Sequence, residues 1–448
     1  TVVRVVTLPR PDAAVASGAL VRYHPAMTRA PRDPGVSRRA DGSTPHDPAT
    51  AHRPTKERIA VLDAVRGLAL FGILVVNAPL FFWPVESILL GGIPSLTVFD
   101  DAANVLVRYL FEGKFFTIFS LLFGIGVALQ LSRGHPSRTI VRRLLLLALI
   151  GALHITVFWW GDILLHYAIL GIALVLTRRW PVRRLVRAAF VLLAVPVVLQ
   201  VGLASLGSLA ATGPDGAAAF EAAAAESEAA MADQAESALA VFGGRDFAAA
   251  AALRWGTWGF NAVGNLFGGL LLIVVAMFFF GAAAQRSGWL EATATDRWRR
   301  LFVRMLPIAL VANAVYAWGA LSGAQYAFGT WPAAITSIAY VVGAPSGALA
   351  IATGAALLLR PGGPVASALA AVGRLALSTY LTQSLVMTTL AYAYGLGLYG
   401  TVTHGQALLL ALALFAIQVP VAVAFTRRFR FGPVEWLWRA GTYLRRPS

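Results

Sequence analysis

RRLLLLALIGALHITVFWWGDILLHYAILGIALVLTRR, residues 142–179, decides how the chain is built. Two apolar runs, about 144–160 and 163–177, meet at Gly161 and Asp162 and are closed at either end by an arginine pair. A hydrocarbon core of about 30 Å takes roughly 20 helical residues. Arginine collects on the cytoplasmic side of a membrane. The stretch therefore reads as a hairpin that crosses outward, turns, and returns.

The same grammar extends over the whole chain. Of its 448 residues, 58% are hydrophobic and only 13% charged, where soluble domains carry about 25% charged residues. The composition is that of a polytopic membrane protein and excludes a disordered, collagen-like or coiled-coil chain. Apolar runs recur at about 59–83, 113–131, 144–160, 163–177, 188–211, 263–284, 301–321, 332–359, 375–394 and 406–425. This predicts an all-α bundle of about ten spans, the fourth of them short. Without cysteine, there is no disulfide framework, thiol nucleophile or thiolate metal site.

A formal net charge of +16 would suggest nucleic acid in a soluble protein. Here the arginines lie in short loops. Arg133, Arg138, Arg142 and Arg143 follow the second span, and Arg178, Arg179, Arg183, Arg184 and Arg187 follow the fourth. Every even-numbered exit is basic, while the other loops are neutral or acidic, which predicts both termini in the cytoplasm. Residues 1–58 read as a disordered Pro- and Arg-rich tail, with Met27 as an alternative start, and 427–448 as a cytoplasmic tail. The Ala- and Glu-rich 212–262 reads as an extracytoplasmic helical excursion.

Ionisable groups inside spans cost about 2.5–3.5 kcal/mol each on insertion scales, so each needs a partner or a task. In the first span Asp63, Arg66 and Asn77 share one helix face. In the hairpin, His154 lies about six residues inside the outer end, Asp162 occupies the turn, and His166 and Tyr167 follow one turn later. A histidine beside a carboxylate suits a general base. Equally, Asp162 suits a helix cap and His154 an interhelical hydrogen bond. Glu112 and Lys114 suggest a salt bridge at the entry to the second span. Arg374, Ser378 and Thr382, at i, i+4 and i+8, suggest a polar stripe on the ninth. Walker, dinucleotide-binding and HExxH signatures are absent. No metal site is expected.

Six stretches in order carry a resemblance: LDAVRGLALFGILVVN (62–77), GKFFTIFSLLFG (113–124), GALHITVFWWGDILLHY (151–167), SGWL (287–290), VGRLALSTYLTQS (372–384) and GPVEWLWR (432–439). Together they resemble the YeiB-like bacterial membrane proteins, a family with a domain of unknown function that is distantly similar to transmembrane acyltransferases. The resemblance covers about 58–445 and implies a location in the bacterial inner membrane. It implies functional positions at Asp63, Arg66, Asn77, Lys114, His154, Asp162, Tyr167, Arg374, Tyr380 and Gln383, and leaves His166 outside the set.

The expected activity is transfer of an acyl group from cytoplasmic acyl-CoA, as co-substrate, to a cell-envelope glycan, glycolipid or peptidoglycan precursor. His154, Asp162 and Tyr167 would be catalytic, and Arg66, Arg374, Asn77, Lys114, Tyr380 and Gln383 would bind the co-substrate. Spans one, three, four and nine are expected around a single cavity. The alternative is a secondary transporter or lipid flippase that uses the same buried charges.

Overall fold

In a computed structural model the described residues are 56–291, 294–327 and 329–447; the predicted tail 1–58 and Met27 lie almost wholly or wholly outside them. All regular elements among these residues are helical. Helix α1 (Lys56–Phe82) leads through the short α2 (Val85–Leu89) to α3 (Val98–Leu106), which continues through a π turn at Val107–Phe111 into α4 (Lys114–Ser132). The hairpin follows as α5 (Ser137–Val157), α6 (Leu164–Leu170) and α7 (Ile172–Leu176). Next come α8 (Val182–Ala210), the polar α9 (Pro214–Gly243), α10 (Phe247–Phe267) and α11 (Leu270–Arg286). The chain ends with α12 (Thr295–Leu321), α13 (Trp331–Leu358), α14 (Pro364–Arg374), α15 (Ala376–Ala391), α16 (His404–Arg428) and α17 (Pro433–Tyr443).

Seven helices are individually long and apolar enough to cross a membrane, and the bent pairs α10/α11 (68°) and α14/α15 (79°) bring the number to nine. The remaining predicted segment is shorter than a full span. Leu164–Leu176, interrupted at Gly171, extends about 20 Å at 1.5 Å per residue. The predicted 212–262 excursion comprises α9 and most of α10, and α10 joins α11 in a broken span.

Two packing features set up the site. Gly67 on α1 and Gly373 on α14 face the main-chain carbonyls of Leu369 and Asp63, and a Cβ at either would overlap them. This contact brings Arg374 beside the polar face of α1. At the opposite end, buried Asp100 accepts the N–H groups of Leu96, Thr97 and Gly405 and the hydroxyls of Thr97 and Thr403. One carboxylate thereby ties the starts of α3 and α16 together.

Candidate functional site

The polar face of α1 borders two chambers rather than the single expected cavity. Asp63, Arg66, Leu70 and Ile73 line one of about 880 Å³, and Ile73, Asn77 and Leu80 line another of about 540 Å³. Ile73, Ile163 and Tyr380 belong to both walls and form a septum between them. The larger chamber, bordered by the C-terminal ends of α4 and α16, is here called inner, after the side on which the arginine rule expects the cytoplasm, and the other outer.

The inner chamber is strongly basic. Arg66, Arg143, Arg374, Arg427, Arg428, Arg430 and Arg439 line it against Asp63 and Glu435, a formal excess of five positive charges. Arg66 Nη1 donates to Asp63 Oδ1 at 2.5 Å. Arg143 stacks on Trp438, 3.8 Å from the ring centroid, and the indole N–H of Trp438 donates to the Arg143 carbonyl at 3.0 Å. Glu435 on α17 accepts the N–H groups of Leu377 and Ser378 at 2.7 and 2.9 Å, and the Ser378 hydroxyl also donates to it. The predicted stripe on the ninth span is therefore broken: Arg374 ends α14, whereas Ser378 lies beyond the bend on α15.

Behind the septum lies the hairpin turn. His154 Nδ1 is 2.9 Å from Asp162 Oδ2, with both side chains at 0% exposure. The contact is an ion-pair approach without hydrogen-bond alignment, and His154 Nε2 has no partner among the described residues. Asp162 Oδ1 accepts the N–H of Leu165 at 2.7 Å in the first turn of α6, while its other oxygen lies against His154. The His154 ring lies 5.2 Å from that of Tyr380, whose hydroxyl donates to the Gly161 carbonyl at 3.3 Å. His154 itself lines neither chamber, although Asp162 lines the outer one.

Among the remaining expected positions, Asn77 lines the outer chamber. Tyr167 lines the inner one, but its hydroxyl is engaged with the Phe116 carbonyl at 2.9 Å and Ser120 at 2.7 Å. Lys114 is buried and donates to the main-chain carbonyl of Glu112 at 2.9 Å; the ion pair of Glu112 is with Arg108, at 3.4 Å. Gln383 is buried against Gln418, its amide donating at 3.0 Å, and lines neither chamber.

The outer chamber also draws on His166, which the resemblance left outside the set, and on Trp258, Asn261 and Asn265, which sequence reasoning passed over. His166 Nδ1 lies 3.0 Å from the Asp162 carbonyl, an acceptor, so the neutral ring donates there and leaves Nε2 as the lone-pair nitrogen. That nitrogen is buried without a partner among the described residues, and the ring packs 4.9 Å from Trp258. The four-residue step from Asp162 to His166 was a visible signal. The 258, 261, 265 spacing on α10 was a second.

Comparison with known proteins yields relatives over nearly the whole chain. The family profile described as "Protein of unknown function (DUF418)" matches residues 283–445. "Uncharacterized protein YxaH" of Bacillus subtilis is 31% identical over 417 residues, covering 87% of this chain and 95% of its own. "Uncharacterized protein YeiB" of Escherichia coli is 33% identical over 398 residues, covering 86% and 96%. No solved structure matches. The apolar helices and these full-length relatives together identify an integral membrane protein that belongs to the DUF418 family, of the YeiB type.

Proposed function

We propose that the protein is a transmembrane acyltransferase of the bacterial inner membrane, with both termini cytoplasmic, that passes an acyl group from acyl-CoA to a cell-envelope acceptor. The observation that carries this reading is the pair of chambers, one strongly cationic and one nearly balanced in charge, meeting at Tyr380 with a His–Asp pair directly behind. Phosphates of acyl-CoA are met in the inner chamber by Arg66 and Arg374, guanidinium groups suited to charge-assisted contacts with phosphate. The thioester carbonyl reaches the septum, and the acceptor hydroxyl or amine approaches from the outer chamber.

His154, with Asp162 fixing its orientation, removes the acceptor proton as the new acyl bond forms and CoA leaves as its thiol. Because His154 lies behind Tyr380, that ring must turn aside or relay the proton through its hydroxyl. On the acceptor side Asn77 and Asp162 line the outer chamber.

The same septum favours a second reading. Two chambers separated by three side chains also suit alternating access, with the buried pairs Asp63/Arg66 and His154/Asp162 as coupling groups. Purified protein in proteoliposomes separates the two. An acyltransferase releases CoA thiol from acyl-CoA in proportion to acceptor acylation, without solute counterflow. Counterflow without thiol release overturns the enzyme reading in favour of transport.

A further inference from the structure

Helix α10 has two unlike faces. Trp258, Asn261, Asn265 and Gly268 recur at helical spacing along the outer chamber, and the Asn265 side chain makes no hydrogen bond among the described residues. On the reverse face Phe260, Val263 and Phe267 are 53%, 57% and 54% exposed. Such apolar exposure in a chain of seven to nine candidate spans belongs in hydrocarbon. One helix thus separates the outer chamber, with its Asn261 and Asn265 amides, from the bilayer.

Its attachment is one-sided. α10 packs on α5, α9 and α11, held by Arg254, which donates to the Thr156 carbonyl at 2.6 Å, and by the Trp255 indole N–H on the Thr156 hydroxyl at 3.1 Å. It has no extensive contact with α12 or α13, which supply the facing wall of the same chamber. At its end the chain turns through 68° at Gly268–Gly269, and Gly269 has φ +85°, a conformation open to glycine at no steric cost. Hinges are element-terminal positions of this kind.

We propose that α10 is a lateral gate through which the polar head of a bilayer lipid enters the outer chamber while its hydrocarbon tail stays in the membrane. A volume of about 540 Å³ suits a head group and is too small for a whole lipid. The Asn265 amide, which makes no hydrogen bond among the described residues, offers both a donor and an acceptor to head-group hydroxyl or amine groups, and His166 lines the same chamber. Trp258 offers a flat apolar face beside them. The inference deepens the acceptor side of the reading above, and rests on it only for the direction of transfer.

The test requires no acyl donor and so stands apart from the enzyme assay. A benzophenone amino acid is placed at Asn265, on the chamber face, and separately at Val263, on the apolar face, in protein reconstituted into vesicles of phosphatidylethanolamine and phosphatidylglycerol. Because the chain has no cysteine, T156C/W255C can be joined by a short reducible bis-methanethiosulfonate bridge that clamps α10 to α5. Irradiation is expected to give lipid adducts at both positions, with the adduct at 265 lost under the bridge and regained on reduction, and that at 263 unchanged. Adducts at 263 alone overturn the proposal, as does a 265 adduct indifferent to the bridge. Absence of adducts at both positions also overturns it, since the apolar face would then not lie in lipid. Position 261 replaces 265 if the latter variant fails to fold.

Discussion

The inner chamber sets seven arginines against two carboxylates, whereas the outer one sets Arg108 against Glu112 and Asp162 and is otherwise lined mostly by aliphatic and aromatic side chains, with a few amides and hydroxyls among them. Like charges gathered in a confined space repel, and away from bulk water the repulsion is poorly screened. An excess of five positive charges therefore makes physical sense as the counter-charge of a polyanion that comes and goes. The outer chamber, nearly balanced, suits a ligand bound by hydrogen bonds and flat apolar contacts. What divides the two is a septum of three side chains, and the buried His154/Asp162 pair sits behind it.

The most damaging way to break this arrangement is at Asp162. Asp162→Ala leaves His154 without its charged partner and the Leu165 N–H without its acceptor, and losing one member of a buried pair costs about 3–5 kcal/mol. Thermal unfolding in detergent should show the loss, and Asp162→Asn, which keeps an oxygen for Leu165, should recover part of it. An unchanged unfolding temperature for Asp162→Ala would separate the pair from the fold.

His154→Ala is expected to lower transfer by about 10²–10⁴-fold while leaving donor affinity intact, because His154 lines neither chamber. Equal losses in transfer and donor binding would mean that the septum is not the boundary between the two halves of the chemistry. Gln383→Leu makes the contrast from the opposite direction. It strands Gln418 and should cost about 1–3 kcal/mol of stability, with transfer per folded molecule unchanged, since Gln383 reaches no chamber.

The smallest expected effect concerns Glu86, in α2. Burial holds its carboxyl above the usual glutamate range. A carboxyl whose folded value is raised binds its proton more tightly when folded, so its contribution to stability is present below the unfolded value and is lost as pH rises through the folded one. Glu86→Gln should therefore flatten the decline in stability between mildly acidic and neutral pH, as read by thermal unfolding at both.

Membrane class and helix positions were legible because hydrocarbon imposes length and the arginines impose punctuation. The His154/Asp162 approach was legible for a related reason: an eight-residue interval across a tight hairpin leaves the two side chains few places to go. The two-chamber division was not, because it depends on how Ile73 on α1, Ile163 in the hairpin turn and Tyr380 on α15 converge. Nor was the bend at Leu375, which parts Arg374 from Ser378 within an unbroken apolar run. The Asp100 staple joins residues 303 positions apart and leaves no local trace. His166 was visible in sequence and set aside, yet it lines the outer chamber, whereas the hydroxyl of Tyr167 beside it is committed to Phe116 and Ser120.

The central claim is that the inner chamber holds the phosphates of an acyl donor, and binding of acetyl-CoA and longer acyl-CoAs to the purified protein by titration calorimetry tests it most directly. The account predicts saturable binding that weakens as ionic strength rises, is retained in His154→Ala and is lost in Arg66→Ala, with each variant first shown to be folded. Wild-type protein that binds none of these donors would contradict the account and leave alternating access as the better reading of the two chambers.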